Sequence, residues 1–457
     1  MKEYDIIVIG SGCGMLMVEE ALAHGLDVAL VDKGPLGGTC LNLGCIPSKT
    51  LIVPADRITE IQEGKKLGIE AEIKNIDFGS IMERLRRDRR ETQSHIREGN
   101  SHTENLDFYE GVGHFVEDYT LEINGERIKG DKILIASGSR PSVPPIKGLD
   151  EIDYWTSETV LEISERPDSL IIIGGGYIGV EYAHFFAAMG TKVTVIEMAD
   201  RLVLGEEPEI SDLLMRKLSE RMDVYTDTLV EEVRGNAESG GITAAAKDKN
   251  TGETKEIAAQ RVMVATGRSS NADLLKVENT GVETDKRGFV KVNEHLETSK
   301  ANIFAVGDAN GKYMFTHMAN REALVAVENI LHKGKVKMNY SATPHAIFSH
   351  PQIASVGLTE RQARRNGNIL VGRAKYSDTA YGQALMEEDG FAKAIVDKGS
   401  GKILGFHIIG PYATMVIQEV TNAMTSGGGI HEINRGIHIH PTLPELIQVT
   451  LSGLVEP

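Results

Sequence analysis

Short, uninterrupted apolar runs that end in glycine set the pattern of this chain. Ile6-Ile-Val-Ile9 runs into Gly10-Ser-Gly12-Cys-Gly14, and Leu170-Ile-Ile-Ile173 runs into Gly174-Gly-Gly176-Tyr-Ile-Gly179. Four or more consecutive apolar residues closed by a turn signal read as a strand buried on both faces. Each run leads through a helical stretch to a second strand that ends in an acid. These second strands are residues 28–32, ending in Asp32, and residues 192–197, ending in Glu197 after a helix predicted over 180–189. Asp32 lies 22 residues beyond Gly10, and Glu197 lies 23 beyond Gly174. A strand, glycine turn, helix and strand with an acid about 20 residues past the glycines is the fingerprint of dinucleotide binding. The glycines let a phosphate reach backbone N–H groups at the helix start, and the acid accepts from a ribose hydroxyl. One such motif is a weak signal; two copies, each with its acid, are a strong one and make an internal repeat.

The copies differ in one respect. The second is a complete G-x-G-x-x-G, whereas Met15 stands where the first would have its third glycine. That glycine normally permits close packing of helix on strand. Phosphate binding through Gly10, Gly12 and the helix N-terminus is therefore expected, with looser helix packing. Further strand-to-glycine turns follow at 133–138, 262–267 and 303–307, the last continuing into Asp308. From about Ser341 the pattern changes. Short strands at 346–348 and 392–396 and a helix over 413–425 come without a new nucleotide loop, which reads as a separate α+β domain.

A length of 457 residues implies two to four domains. The hydrophobic content of 41% and charged content of 25% are those of a globular protein. A net charge of −17 argues against a nucleic-acid partner, which needs a basic surface. The apolar run at 6–9 is too short for a signal peptide, and the longest uncharged stretch, 403–418, is shorter than the roughly 20 apolar residues of a membrane span. Three cysteines make no disulfide scaffold, so a reducing cytoplasm is the expected location.

Two of those three cysteines stand in Cys40-Leu-Asn-Leu-Gly-Cys45. In a regular helix, residues five apart are separated by about 7.5 Å along the axis. A disulfide needs Cβ atoms about 3.5–4.5 Å apart. A redox pair here requires a distorted helix start, with Gly44 as the source of backbone freedom. Spacing alone leaves open a redox couple or two ordinary buried thiols. No second Cys or His pair has ligand-like spacing, so no metal site is expected.

Taken in order, these residues resemble the FAD-dependent pyridine nucleotide–disulfide oxidoreductases, the family of dihydrolipoamide dehydrogenase and glutathione reductase. The carrying stretches are Gly10-x-Gly12, Gly37-Gly-Thr-Cys40-x4-Cys45-Ile-Pro-Ser-Lys49, Ala136-Ser-Gly-Ser, Gly174 to Gly179 with Tyr177 and Glu181, Ala265-Thr-Gly-Arg, Gly307-Asp308, and His438-Ile-His440-Pro-Thr-Leu-Pro-Glu445. They span essentially the whole chain. The resemblance implies an α/β fold with two Rossmann-like dinucleotide-binding domains, for FAD and NAD, and a C-terminal α+β dimerisation domain. The expected boundaries are 1–148 and 272–335 for the FAD and central parts, 149–271 for the NAD domain, and 336–457 for the interface domain.

The resemblance also implies roles. Cys40 exchanges with the substrate disulfide and Cys45 faces the flavin. His440, oriented by Glu445, acts as acid–base across a homodimer interface. Lys49 and Glu181 form an ion pair near the flavin, and Tyr177 covers it until nicotinamide binds. FAD contacts are expected from Gly10, Gly12, Gly14, Asp32, Gly38, Thr39, Lys49, His114, Ser137, Gly138, Gly307, Asp308 and His317. NAD contacts are expected from Gly174, Gly176, Gly179, Glu197 and Gly267, with Glu197 favouring NAD(H) over NADP(H) because a carboxylate repels a 2′-phosphate. His438 is given no chemistry, and Cys13 reads as a small loop residue.

Within the family, Cys-Leu-Asn-Leu-Gly-Cys-Ile-Pro-Ser-Lys and His-x-His-Pro-Thr-Leu look like dihydrolipoamide dehydrogenase. Met15 and the stretches at 265–275, 317–320 and 381–382 look like mycothione reductase. Dihydrolipoamide dehydrogenase, acting on a small dithiol or a lipoyl carrier, is the leading expectation. A reductase of a low-molecular-weight disulfide is second. A non-catalytic flavoprotein subunit is the alternative of another class, opposed by the intact Cys40, Cys45, His440 and Glu445. Mercuric reductase and the large thioredoxin reductases are disfavoured, because no thiol follows Cys45.

Overall fold

The computed structural model describes residues 1–100, 103–235, 240–332, 334–365 and 367–457. They gather into two compact units: Met1–Ser48, Met82–Ser142 and Gly267–Asn339 in one, and Lys49–Ile81, Val143–Thr266 and Tyr340–Pro457 in the other.

The first unit is built on a mixed sheet. Strands Leu106–Glu110, Val28–Asp32, Lys2–Ile9 and Glu126–Ile135 lie side by side in parallel. The apolar runs read from the sequence occupy its centre, and Ile6, Ile7, Val8 and Leu30 are fully buried. Strand Glu126–Ile135 serves two kinds of neighbour. Its start pairs antiparallel with Thr120–Ile123, and its end pairs parallel with Ile303–Ala305. The sheet therefore delivers three glycine turns to the C-terminal ends of adjacent strands: Gly10, Gly138 and Gly307. Ligands bind at those ends in open parallel sheets.

The second unit repeats the device. Strands Asp223–Tyr225, Lys192–Ile196, Ser169–Ile173 and Arg261–Val264 form a four-stranded parallel sheet. Hydrogen bonds coincide between the copies. Gly10 N–H donates to Val31 O and Gly174 N–H to Ile196 O, each at 2.8 Å. Ala136 N–H donates to Ile9 O and Ala265 N–H to Ile173 O, again at 2.8 Å. An antiparallel meander, Thr228–Gly235, Ile242–Asp248 and Thr254–Ala259, is inserted before the last parallel strand.

The remainder of this unit is a five-stranded antiparallel sheet in the order Pro344–Ile347, Ile353–Gly357, Ile403–Ile409, Phe391–Asp397, Ile369–Lys375. Helices Ala413–Thr425 and Glu445–Ser452 pack their apolar faces on it through Val416, Ile417, Val420, Leu446 and Ile447. The stretch 403–418 is thus the central strand followed by a helix start. Its apolarity reflects burial on both faces. No helix among the described residues is long and apolar enough to cross a membrane.

Candidate active site

The two cysteines do not share a helix. Cys40 lies in the five-residue helix Gly38–Asn42, the chain breaks at Leu43, and Cys45 opens helix Cys45–Glu63. The predicted distortion is thus a full break. Gly44 serves it in a different way from the one expected. Its φ is not in the left-handed region. Instead, a Cβ on it would stand 3.1 Å from the Thr39 carbonyl oxygen and 3.6 Å from Cys40 Cα, so it is the missing side chain that lets the second helix start against the first. The hydrogen bond between the two thiols, and then burial, hold Cys40 well above the ordinary thiol range, outweighing the opposite pull of the Thr316 hydroxyl. Thr316 Oγ1 lies 3.4 Å from Cys45 Sγ. The surroundings of Cys40 therefore favour its neutral thiol. Burial pushes the third thiol, Cys13, up to about 12, which leaves it inert at neutral pH.

The first glycine loop corrects the sequence reading. A Cβ on Gly14 would meet the Gly10 carbonyl oxygen at 2.2 Å. In the second loop the same contact belongs to Gly179, whose Cβ would lie 2.0 Å from Gly174 O. Gly14 thus does the close packing expected of the position that Met15 fills, one residue earlier, and the helix is not looser. Gly10 and Gly174 are themselves pressed on Ala136 O and Ala265 O, where a Cβ would stand at 2.2 and 2.4 Å. Gly38 approaches Gly12, a Cβ on it falling 2.7 Å from Gly12 Cα, and Gly37 N–H donates to Ser11 Oγ at 2.9 Å. The redox stretch is thereby held against the first loop.

The two strand-end acids act alike. Asp32 accepts from Ser11 N–H at 2.6 Å and Gly34 N–H at 2.7 Å. Glu197 accepts from Gly175 N–H at 2.5 Å and Ala199 N–H at 2.6 Å. Each carboxylate ties its own glycine loop in place, a second task beside the expected ribose contact. Arg201 Nη1 lies 3.3 Å from Asp200.

Other expected cofactor residues gather at the same strand ends of the first unit. Ser137 Oγ is buried with no hydrogen-bond partner among the described residues. Gly138, at φ +67°, has open space where a Cβ would be. Asp308 accepts from Ser139 Oγ at 2.5 Å, and Arg268 Nε donates to Ser139 Oγ at 2.6 Å. Gly307 N–H donates to the buried Glu322 at 2.7 Å, and Asn310 donates to the same oxygen at 2.8 Å. Ser139, Arg268 and Glu322 were not among the expected site residues. The first two stand inside quoted motifs, and Glu322 was legible only as an acid on an otherwise apolar helix face. Thr39 precedes Cys40 in its helix, His317 stacks on Phe315 in the first turn of Thr316–Leu331, and His114 opens strand His114–Glu117.

In the second unit, Lys49 Nζ donates to Glu181 Oε2 at 2.8 Å and lies 4.2 Å from the centre of the Phe348 ring. Phe348 N–H donates to the other Glu181 oxygen at 2.9 Å. Tyr177 opens helix Tyr177–Ala188, whose N-terminus has no side-chain cap, and Gly176 before it is open to an approaching group. Gly267, in the first unit, is equally open. His440 Nδ1 lies 2.8 Å from Glu445 Oε1, and Thr442 N–H donates to Glu445 Oε2 at 2.8 Å. The His440 bond, followed by that of Thr442, holds the Glu445 carboxyl below its usual value. The neighbouring histidines face differently: His440 is 71% exposed, whereas His438 is 7% exposed and lies 2.8 Å from Glu419.

Two glycine-loop sheets and a closely spaced thiol pair are those of a nucleotide-linked disulfide enzyme class, and the chain belongs to the pyridine nucleotide-disulphide oxidoreductases: that family description fits residues 4–323, and the family's dimerisation domain fits residues 343–450. Mycothione reductase of Mycobacterium tuberculosis is 35% identical, over 99% of this chain and 100% of that protein. Dihydrolipoyl dehydrogenase of Bacillus subtilis is 34% identical, over 97% of this chain and 96% of that protein. Among solved structures, the HOCl-induced flavoprotein disulfide reductase RclA from Escherichia coli superposes with a TM-score of 0.86 at 28% identity, over 98% of this chain and 99% of that one. The fold class is that of these enzymes, whose cofactors are FAD and a nicotinamide dinucleotide. The residues present fit FAD. The partnerless Ser137 hydroxyl, the open Gly138 and the uncapped N-terminus of helix Met15–Ala23, with no acid in its first turn, all suit a phosphate-bearing group.

Proposed function

We propose that this protein carries two electrons between NAD(H) and a substrate disulfide by way of FAD and the Cys40/Cys45 pair, and that dihydrolipoamide is its leading substrate. The observation that carries the reading is the close Cys40/Cys45 thiol pair, with Thr316 Oγ1 3.4 Å from Cys45 Sγ and Gly38 pressed on Gly12 of the first glycine loop. FAD, when bound, supplies the two-electron step between nicotinamide and sulfur.

The chain's own residues do the rest. His440 takes the Cys40 proton, and the Cys40 thiolate attacks one sulfur of the substrate. The substrate S–S bond breaks, a mixed disulfide forms on Cys40, and His440 returns the proton to the departing thiolate. Cys45 then attacks the Cys40 sulfur. The second thiolate leaves and takes a proton that reaches it from solvent through the same imidazole. The disulfide has gained two electrons and two protons, and Cys40 and Cys45 are joined. Oxidation of a dithiol runs the same steps backward. Glu445 accepts from Nδ1–H of His440, which leaves Nε2 to handle the protons. Lys49, paired with Glu181, would bring positive charge to a bound flavin, and Tyr177 would cover it until nicotinamide binds. Glu197 favours NAD(H).

His440 is read as serving the cysteines of a second chain in a homodimer. Ile437 and Ile439, 100% and 76% exposed beside it, support a partner surface there. The four-segment division at 148, 271 and 335 and a cytoplasmic location belong to the same proposal. A reductase of a low-molecular-weight disulfide is the second reading, favoured by the first glycine loop, where Gly14 replaces the glycine that residue 15 lacks.

NADH- and NADPH-linked assays with lipoamide and a panel of small disulfides test both. Lipoamide turnover at least about tenfold above the rest, with NADH preferred, is the expected result. Preference for a small-thiol disulfide moves the protein to the second reading. Absence of a long-wavelength absorbance band on anaerobic reduction with NADH rejects the relay itself.

A further inference from the structure

We propose that Glu20, His24 and His332 form a binding site for a divalent transition-metal ion, apart from the cysteine chemistry. The site stands where two packed helices end. His24 is the C-cap of helix Met15–Ala23, and His332 is the C-cap of helix Thr316–Leu331. Glu20 and His24 stand four residues apart at one helix end, and the fold adds His332. Glu20 Oε1 lies 3.7 Å from His24 Nδ1 and 3.9 Å from His332 Nε2, and one ligand atom from each residue lies within 4.8 Å of the others. The imidazole rings meet edge-on, 5.1 Å apart at 64°.

Three features favour a metal. Ligands about 2.0–2.2 Å from a tetrahedral ion are about 3.3–3.6 Å from one another, so small rotations of exposed side chains, including a turn of the His24 ring off the Glu20 carbonyl oxygen 2.8 Å from its Nδ1, close the site. The converging helix C-termini offer partial negative charge, which favours a cation. A hollow of about 370 Å³ adjoins the cluster, lined by Glu20, Arg321, Glu328 and His332 together with Leu324 and three valines, with room for water to complete the coordination. Two imidazoles and one carboxylate suit Zn²⁺, Co²⁺ or Ni²⁺ better than Mg²⁺ or Ca²⁺. An ion there ties together the helix that follows the first glycine loop and the helix that follows Gly307-Asp308.

Calorimetric titration of the oxidised, FAD-loaded protein with Zn²⁺ tests this while Cys40 and Cys45 are blocked as a disulfide. One Zn²⁺ per chain is expected. His24→Ala and His332→Ala should each weaken binding by about 10-fold or more, in line with loss of a ligand or its support. Zn²⁺ should raise the melting temperature of the parent protein but not of these variants. Co²⁺ should give visible d–d bands that the double variant lacks. Both substitutions lie on exposed rings outside the proposed electron relay, so turnover without added metal should be unchanged. No saturable Zn²⁺ binding, or binding of equal strength in both histidine variants, overturns the proposal.

Discussion

The two cysteines have different surroundings: the bond to Cys45, reinforced by burial, favours the neutral thiol of Cys40. Cys45→Ser should therefore abolish the long-wavelength band, and Cys40→Ser should retain it. Both should lower disulfide turnover by about 10³-fold or more while flavin reduction by NADH persists; stopped-flow absorbance reads both. His440→Gln should reduce kcat by about 10²–10⁴-fold, the usual worth of a positioned acid–base. Glu445→Gln should cost less, because it orients the ring without touching substrate. The Cys-x4-Cys spacing made the pair visible in the sequence. The Thr316 hydroxyl beside the pair comes from far along the chain, and only the fold supplies it.

Elements turn on small clearances. Gly14 lies 2.2 Å, measured from a hypothetical Cβ, from Gly10 O, and this contact sets the first loop. Gly14→Ala should destabilise the protein by about 1–3 kcal/mol through overpacking and lower its FAD content, read by thermal melts and by absorbance after gel filtration. The strand–glycine–helix–strand pattern was legible in both copies, because buried parallel strands are uniformly apolar and their turns need glycine. The replacement of residue 15 by Gly14 was not. Motif spacing carries no information on which Cα meets a carbonyl oxygen.

Charge burial governs the larger scale. Within the second unit, the buried Lys393 ammonium lies 2.8 Å from Glu207 and 2.7 Å from both Glu209 and Glu360. Lys393→Met would leave these carboxylates facing one another and should destabilise the protein by about 3–5 kcal/mol in denaturant unfolding. The acid limb of stability has a nearby source. His350, hydrogen-bonded to Glu63, is the largest influence on that carboxyl and lowers it from 4.5 to about 2. A folded value below the unfolded one adds stability above the ordinary carboxyl value, and this is lost as pH falls toward about 2. The stability gap between the parent and His350→Gln should therefore be wider at about pH 6 than at about pH 3 in urea titrations. Neither Lys393 nor His350 was legible in the sequence, because ion pairs far apart in the chain leave no periodic trace.

The sequence by itself determined the two glycine loops, the Cys40–Cys45 and His440–Glu445 spacings and the family, since each is a local pattern imposed by backbone geometry or reactivity. The tertiary structure decided which glycine packs the first helix and that a break at Leu43 joins the cysteines. It also decided that Ser139, Arg268 and Glu322 support Asp308 and its loop, and that Glu20 meets two helix-end histidines. Some of these contacts join residues far apart in the chain and the rest join near neighbours through backbone clearances, and in both cases the distances follow only from packing.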